Sequence, residues 1–167
     1  AAKFPGLFDV GRGAALLRIE GAARPLKEKS SALRSLLASH DVREIGEGDS
    51  LFAAIGNGAV FADEKTTLWR VAVPPLSASA AAEKIAAPLW LADWAGGLLW
   101  VGGRPGETDL VRAVAAEAGG YAMLLRAAAP VRAKAGIFPP LGEAHAALAQ
   151  AVKAAFDPFG LFNPGRL

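Results

Sequence analysis

Hydrophobic and polar residues alternate with a period of two over residues 68–73, which is the clearest strand pattern in the chain. One face of this predicted strand carries Trp69, Val71 and Val73. The other face carries Arg70 between two apolar residues. Alternation of this kind is typical of a strand with one buried face.

The remaining patterns predict further short strands and several amphipathic helices. Strands are predicted at residues 14–20, 42–45, 89–94, 98–101 and 121–126. Helices are predicted after Pro25, at 49–55, at 79–85, over 110–118 and from about 142 to 156. An Ala-Gly-Gly hairpin joins two of the strands, Gly119-Gly120 caps a helix, and a proline-containing loop precedes the last helix. This order indicates an α+β, ferredoxin-like antiparallel sheet with helices packed mainly on one face.

Composition indicates one domain without a membrane span. The chain has 167 residues, 53% of them hydrophobic, with a mean hydropathy of +0.30. Its apolar runs are far shorter than the ~20 residues that a bilayer-spanning helix needs. The absence of cysteine excludes disulfides and thiolate metal sites, and it fits a reducing compartment. We therefore expect a cytoplasmic protein, in which residues 1–13 form a linker and residues 14–167 form the domain.

The charge pattern does not favour nucleic acid as a partner. The net charge is +2, and basic and acidic residues are interspersed along the chain. No predicted strand interleaves aromatic and basic residues, as an RNA-binding sheet does.

The sequence also lacks the motifs of self-contained catalysis. Its two histidines, His40 and His145, are far apart and have no second ligand at metal-binding spacing. No serine-hydrolase elbow, zinc-protease motif or phosphate-binding loop is present. The glycine-rich segments 11–13 and 102–106 lie outside a strand–GxGxxG–helix frame, so turns are expected there. Neither a catalytic residue nor a metal site is assigned.

Four tryptophans invite a ligand-stacking hypothesis, but sheet-core packing is the favoured interpretation for Trp69, Trp90, Trp94 and Trp100. Asp93, beside the predicted hairpin, is expected to accept hydrogen bonds from turn amides rather than to act in catalysis. Arg70 leaves two alternatives open. It is a solvated side chain if its face meets water, and a bidentate carboxylate ligand if its face lines a cleft.

The C-terminal stretch Phe-Asp-Pro-Phe-Gly-Leu-Phe-Asn-Pro-Gly-Arg predicts a stiff chain end. Pro158 ends the last helix, and Gly160 permits a left-handed reversal. Leu161 and Phe162 are then expected to turn back onto the core. Asn163 precedes a second turn at Pro-Gly. A tail fixed only for stability and a tail placed for function remain equal alternatives.

This D-P-x-G-x-F-N-P-G-R ending resembles the C-terminus of FAD-linked oxidases of the vanillyl-alcohol oxidase superfamily. Three further segments are similar to the E-subunit family of bacterial glycolate oxidases. They are residues 68–71 followed by Pro74, the Asp93-Trp94 pair with Gly96-Gly97 and Trp100, and Ala118-Gly119-Gly120. These segments follow the family order over roughly the last hundred residues, whereas the first forty match only loosely.

The resemblance implies a C-terminal cap domain that covers a flavin. An N-terminal domain, absent from this sequence, would bind most of the FAD cofactor. The expected reaction is oxidation of glycolate or another small 2-hydroxy acid, with hydride passing to the flavin. The implied partners are this FAD domain, a second flavoprotein subunit and an iron–sulfur subunit, through which the protein could sit peripherally at the inner membrane. The fragment alone is expected to be inactive.

By position in the matching motifs, Asn163 and Arg166 would contact the cofactor, and Arg70 would bind the substrate carboxylate. Related catalytic subunits carry a histidine-rich metal cluster that this sequence lacks. Whether this subunit or a partner oxidises the substrate is therefore left open. The alternative is a stand-alone, ferredoxin-like ligand-binding or regulatory module without catalysis.

Overall fold

The chain divides into two compact units, Ala1–Ala62 and Asp63–Leu167. A computed structural model describes residues 13–46, 48–62, 67–103 and 108–164. Apart from Gly13, the predicted linker at residues 1–13 lies outside these ranges, so it stays a prediction.

Helices dominate the described part of the first unit. They are α1 (Ala23–Leu36) and α2 (Gly48–Gly56), followed by a 3₁₀ turn at Ala59–Phe61. Both helices were predicted. Pro25 lies in the first turn of α1, where its missing N–H has no intrahelical partner to lose. No residue of α1 is buried, and Leu36 is 78% exposed.

The two strands predicted in the first unit are wrong. Residues 14–20 and 42–45 are irregular, and no strand lies beside them in the described part of this unit. A lone strand leaves its backbone groups unpaired, and alternation along the sequence cannot supply the missing neighbour. Arg18 pairs instead with the carboxylates of Glu20 and Asp49.

The second unit is built on a four-stranded antiparallel sheet. Its strands are β1 (Thr67–Ala72), β2 (Leu89–Asp93), β3 (Leu98–Gly103) and β4 (Tyr121–Arg126). Their spatial order is β2-β3-β1-β4, with every neighbouring pair antiparallel. Helix α3 (Ala78–Ile85) follows β1, and helix α4 (Thr108–Glu117) follows β3. This βαββαβ arrangement is ferredoxin-like, which confirms the predicted α+β class.

One face of the sheet and the helices that cover it form the core. From the sheet come Trp69 and Val71 of β1, Leu99 and Val101 of β3, and Ala122 and Leu124 of β4. Small residues of α3 and branched residues of α4 pack against them, namely Ala78, Ala81, Ala82, Ile85, Val111, Val114 and Ala115. Because α3 presents mainly alanines to the core, it can pack closely there. The Trp69 ring is fully buried, and the guanidinium Cζ of Arg112 in α4 lies 5.6 Å from its centroid.

The junction between α4 and β4 depends on two glycines, as predicted. Gly119 has φ +79° and donates to the carbonyl of Ala116 at 2.9 Å, while Gly120 donates to the carbonyl of Ala115 at 2.8 Å. This pattern is a Schellman cap. Gly120 also passes so close to β1 that an added Cβ would lie 1.9 Å from the carbonyl oxygen of Ala72.

Two further helices complete the second unit. The final helix α6 (Glu143–Phe156) was predicted. Helix α5 (Ala129–Ala135) was not, because its proline was taken as a loop signal, whereas Pro130 occupies the first turn. Arg112 of α4 holds the end of α5 by donating to the carbonyls of Ala135, Gly136 and Phe138. None of the helices in the described ranges is both long and apolar enough to cross a membrane.

Candidate functional site

Arg70 lies on the face of the sheet opposite the core. In the strand register, its neighbours across β3 and β4 are Trp100 and Met123. Cross-strand partners project to the same face, so these three side chains form one row. We define the Arg70 face as this row with its same-face neighbours, all half-buried: Leu68, Arg70, Ala72, Leu91, Trp100 and Met123.

No carboxylate among the described residues pairs with the guanidinium of Arg70. Its Cζ atom lies 5.3 Å from the ring centroid of Trp94, a cation–π contact of about 0.5–1 kcal/mol. Within the described residues it makes no hydrogen bond and no ion pair. Contact with an indole leaves guanidinium N–H groups free to donate. Arg70 can therefore bind a carboxylate through two parallel hydrogen bonds.

The hairpin between β2 and β3 places Trp94 over Arg70. Trp94 and Ala95 have φ values of 52° and 53°, so two consecutive residues with side chains adopt the left-handed conformation. Each costs roughly 1–2 kcal/mol, and strain of this kind concentrates at functional sites. The Asp93 carboxylate accepts a hydrogen bond from the Trp94 amide at 2.8 Å, which confirms its predicted role. Gly96 follows these residues in the hairpin. A Cβ atom added at this position would lie 2.9 Å from the carbonyl oxygen of Pro75, so the close approach requires glycine.

The prediction that all four tryptophans pack in the core holds for Trp69 alone. Trp90 shares the core face, but it lies on the edge strand and is 48% exposed. Trp94 is 64% exposed in the hairpin. Trp100 is half-buried on the Arg70 face, because it is one residue out of phase with Val101. Alternation within a strand does not reveal which strand is an edge.

A polar cluster organises the C-terminal turn. The Asp157 carboxylate is buried and accepts the amide N–H groups of Leu161 at 2.8 Å and Phe162 at 2.9 Å. The Lys153 ammonium donates to this carboxylate and to the carbonyl oxygen of Phe162. Gly160 takes the predicted left-handed conformation, with φ +64°.

These contacts lower the pKa of Asp157 from 3.8 to about 2, chiefly through the hydrogen bond from Lys153 and then through the Phe162 amide, while burial opposes them. Because the folded pKa is depressed, the stabilisation is complete above pH 3.8 and is lost as the pH falls through about 2. We expect the Leu161 and Phe162 amides to resist hydrogen exchange down to this range. Asp157→Asn should expose them even at neutral pH, as measured by NMR.

The matched control is Glu143→Gln, at an exposed position in the first turn of the same helix. It should leave the protection of both amides unchanged. Equal protection in Asp157→Asn and wild type would show that the carboxylate does not hold the turn.

The prediction that Leu161 and Phe162 turn back onto the core is wrong. They are 72% and 66% exposed, since the hydrogen bonds of Asp157, rather than apolar burial, fix the turn. The last helix also exposes apolar side chains. We define the C-terminal apolar surface as Leu148, Val152, Phe156, Phe159, Leu161 and Phe162, each more than half exposed.

The predicted cofactor residues do not join Arg70 in one described cluster. Asn163 lies exposed in the C-terminal turn, with φ 46°, and no hydrogen bond connects it to β1 in the described ranges. Arg166 lies outside the described residues. The predicted glycine turn at 102–106 is wrong at its start, where Gly102 and Gly103 belong to β3, and its remainder lies outside the described residues.

Neither histidine belongs to a chemical cluster. His40 is exposed, and its Nδ1 atom lies 3.0 Å from the hydroxyl oxygen of Ser39. His145 is exposed on α6. In the ranges that the structure describes, no group of three His, Asp or Glu side chains could hold a metal ion. A shallow groove of about 240 Å³ between α3 and α4 is crossed by the ion pair of Lys84 with Glu117.

No family model matches this chain, and neither a curated protein nor a solved structure matches it. The likeness to FAD-linked oxidases thus rests on the sequence motifs alone. Among the described residues, Arg70 and its apolar surroundings are the arrangement best suited to bind a ligand.

Proposed function

We propose that this chain is the cap, or substrate-side, part of an FAD-dependent 2-hydroxyacid oxidoreductase subunit of the glycolate oxidase type. The observation that carries the proposal is Arg70, a cation on a half-buried apolar face that pairs with no carboxylate in the part of the chain that the structure describes. Partial exclusion of water strengthens the attraction between a guanidinium and a carboxylate. Arg70 would bind the carboxylate of the acid and so fix the orientation of the carbon that is oxidised.

FAD, when bound, supplies the hydride acceptor. The described residues form no strand–glycine loop–helix that could cradle its pyrophosphate, so the proposed N-terminal domain would bind most of it. The planar apolar side chains of the Arg70 face are compatible with a neighbouring aromatic ring system. By their place in the matching motif, Asn163 and Arg166 are proposed to contact the cofactor.

The C-terminal apolar surface supports the idea that another protein surface covers this chain. Its six side chains follow one another along α6 and the turn, and contiguous apolar patches of this kind mark interaction sites. The proposed FAD domain is the first candidate. A second flavoprotein subunit and an iron–sulfur subunit are further proposed partners, which would place the protein in the cytoplasm or peripherally at the inner membrane.

A second candidate function is a carboxylate-binding module without catalysis. One observation favours it: Arg70, Trp94, Trp100 and Met123 all belong to the second unit, so a carboxylate site at Arg70 needs no residue of a flavin-binding domain. Flavin content of the natural gene product distinguishes the two functions.

The test of the enzyme proposal is Arg70→Gln in the natural gene product, assayed with the best substrate of a series of 2-hydroxy acids that includes glycolate. Loss of a charged, bidentate hydrogen bond costs about 1.5–3 kcal/mol, so the KM should rise roughly 10- to 150-fold. Flavin content should stay unchanged, because Arg70 is proposed to bind substrate. Arg132→Gln, at an exposed position on α5, is the control and should leave the KM unaltered. An unaltered KM in Arg70→Gln would remove the substrate role.

A further inference from the structure

Aromatic and apolar side chains surround Arg70 on three sides. The Trp94 ring contacts the guanidinium, Trp100 lies directly across β3, and Met123 lies directly across β4. Two further charged residues among those described adjoin this part of the face: Asp93, whose carboxylate accepts a hydrogen bond from the Trp94 amide, and Arg126, which lies opposite Leu68 on β4. The side chains that directly neighbour Arg70 thus combine its positive charge with a broad apolar surface.

We propose that this site selects carboxylates that carry a flat apolar body, and that Trp94 determines the selection. The inference rests on the proposed role of Arg70 and names the substrate class: 2-hydroxy acids with an aromatic or bulky apolar substituent rather than glycolate itself. A small acid satisfies the guanidinium but leaves the indole surfaces in water. An aryl acid satisfies the guanidinium and removes apolar area from water as well.

Trp94 is held in place by the hairpin rather than by packing in the core. Its amide donates to Asp93, and its backbone and that of Ala95 are both left-handed, yet its ring is largely exposed. A buried indole could be explained by core packing alone. An exposed indole that is presented by strained backbone over Arg70, which has no carboxylate partner within the described ranges, is explained by contact with a ligand.

Binding to the purified chain tests the proposal without a flavin, using phenylacetate, acetate and benzyl alcohol as probes in calorimetric or NMR titrations. We expect phenylacetate to bind about tenfold more tightly than acetate, the gain from half-burying a phenyl ring. Trp94→Ala should reduce this ratio to about twofold, and Trp94→Phe should restore most of it. Arg70→Gln should abolish phenylacetate binding.

Trp90→Ala is the matched control, since Trp90 is also an exposed indole but belongs to the core face. It should leave the preference for phenylacetate intact. Three results would overturn the proposal: no binding of either acid, equal affinities for the two acids, or a preference that survives Trp94→Ala. Benzyl alcohol binding as well as phenylacetate would overturn the role of the carboxylate.

The outcome is independent of the proposed enzyme function. Phenylacetate selectivity in this chain together with a flavin-free natural gene product would support the site and reject the flavoenzyme. A flavin-containing gene product whose cap does not distinguish phenylacetate from acetate would support the flavoenzyme and reject the selectivity of the site.

Discussion

Gly120→Ala is expected to destabilise the second unit by about 3 kcal/mol or more, a large part of the roughly 5–15 kcal/mol that stabilises a typical domain. An added Cβ would lie 1.9 Å from the Ala72 carbonyl oxygen, 2.9 Å from the Ala72 carbonyl carbon and 3.0 Å from the Val73 Cα atom. All three atoms are backbone, so no side-chain rotation can relieve the overlap. Strands β1 and β4 would have to move apart where Ala72 pairs with Tyr121, the residue after Gly120.

The measurement is urea unfolding followed by tryptophan fluorescence, which reports on the second unit because all four tryptophans lie there. Gly142→Ala is the matched control, at a glycine where an added Cβ meets no atom within 4 Å. It should cost about 1 kcal/mol or less, the difference between glycine and alanine at a helix N-cap. Equal unfolding midpoints for the two variants would contradict the close approach at Gly120.

Trp69→Ala is expected to cost about 3–5 kcal/mol, the usual range for removing a large aromatic side chain from a core. Trp69 has no exposed surface and packs between the sheet and helices α3 and α4. Its indole Nε1 has no hydrogen-bond partner among the residues that the structure describes, so Trp69→Phe removes an unsatisfied donor along with apolar volume. Trp69→Phe should therefore cost well under half as much as Trp69→Ala.

Trp90→Ala is the control for Trp69→Ala, because Trp90 has the same residue type on the same face but lies half-exposed on the edge strand. It should cost about 1 kcal/mol. Far-UV circular dichroism during denaturant unfolding measures all three variants without relying on the residue that is changed. Similar losses for Trp69→Ala and Trp90→Ala would mean that the core is not centred on Trp69.

The second unit could be predicted from sequence because its signals are local. Alternation identified β1, paired glycines marked the end of α4, and an Ala-Gly-Gly segment marked the hairpin. In the first unit the same alternation at residues 14–20 suggested a strand. A strand forms only beside a neighbouring strand, which can come from any part of the chain, and alternation carries no information about that neighbour.

The sequence predicted the position of Arg70 in the candidate site but not its contact with Trp94. The alternation of β1 separated Arg70 from the core face, and the hairpin spacing could have placed Trp100 opposite it through the strand register. The contact with Trp94 could not be foreseen, since propensity disfavours left-handed backbone at Trp94 and Ala95. Local geometry there departs from the preferences on which sequence-based prediction depends.

At the C-terminus two physical effects competed, and pattern alone did not rank them. Apolar side chains at Leu161 and Phe162 suggested burial. The carboxylate of Asp157 instead binds the amides of both residues and holds their side chains outward. An aspartate four residues before a turn amide is a recognisable sequence signal. The hydrogen bond forms only when the turn also contains a residue that accepts positive φ, which here is Gly160.

The most direct test of the enzyme proposal is the visible spectrum of the purified natural gene product, recorded before and after anaerobic addition of a 2-hydroxy acid. The proposal predicts the absorption bands of oxidised flavin in the first spectrum and their bleaching in the second, as hydride passes to the cofactor. A gene product that stays colourless after incubation with FAD would contradict the flavoenzyme proposal and leave carboxylate binding at Arg70 as the function to pursue.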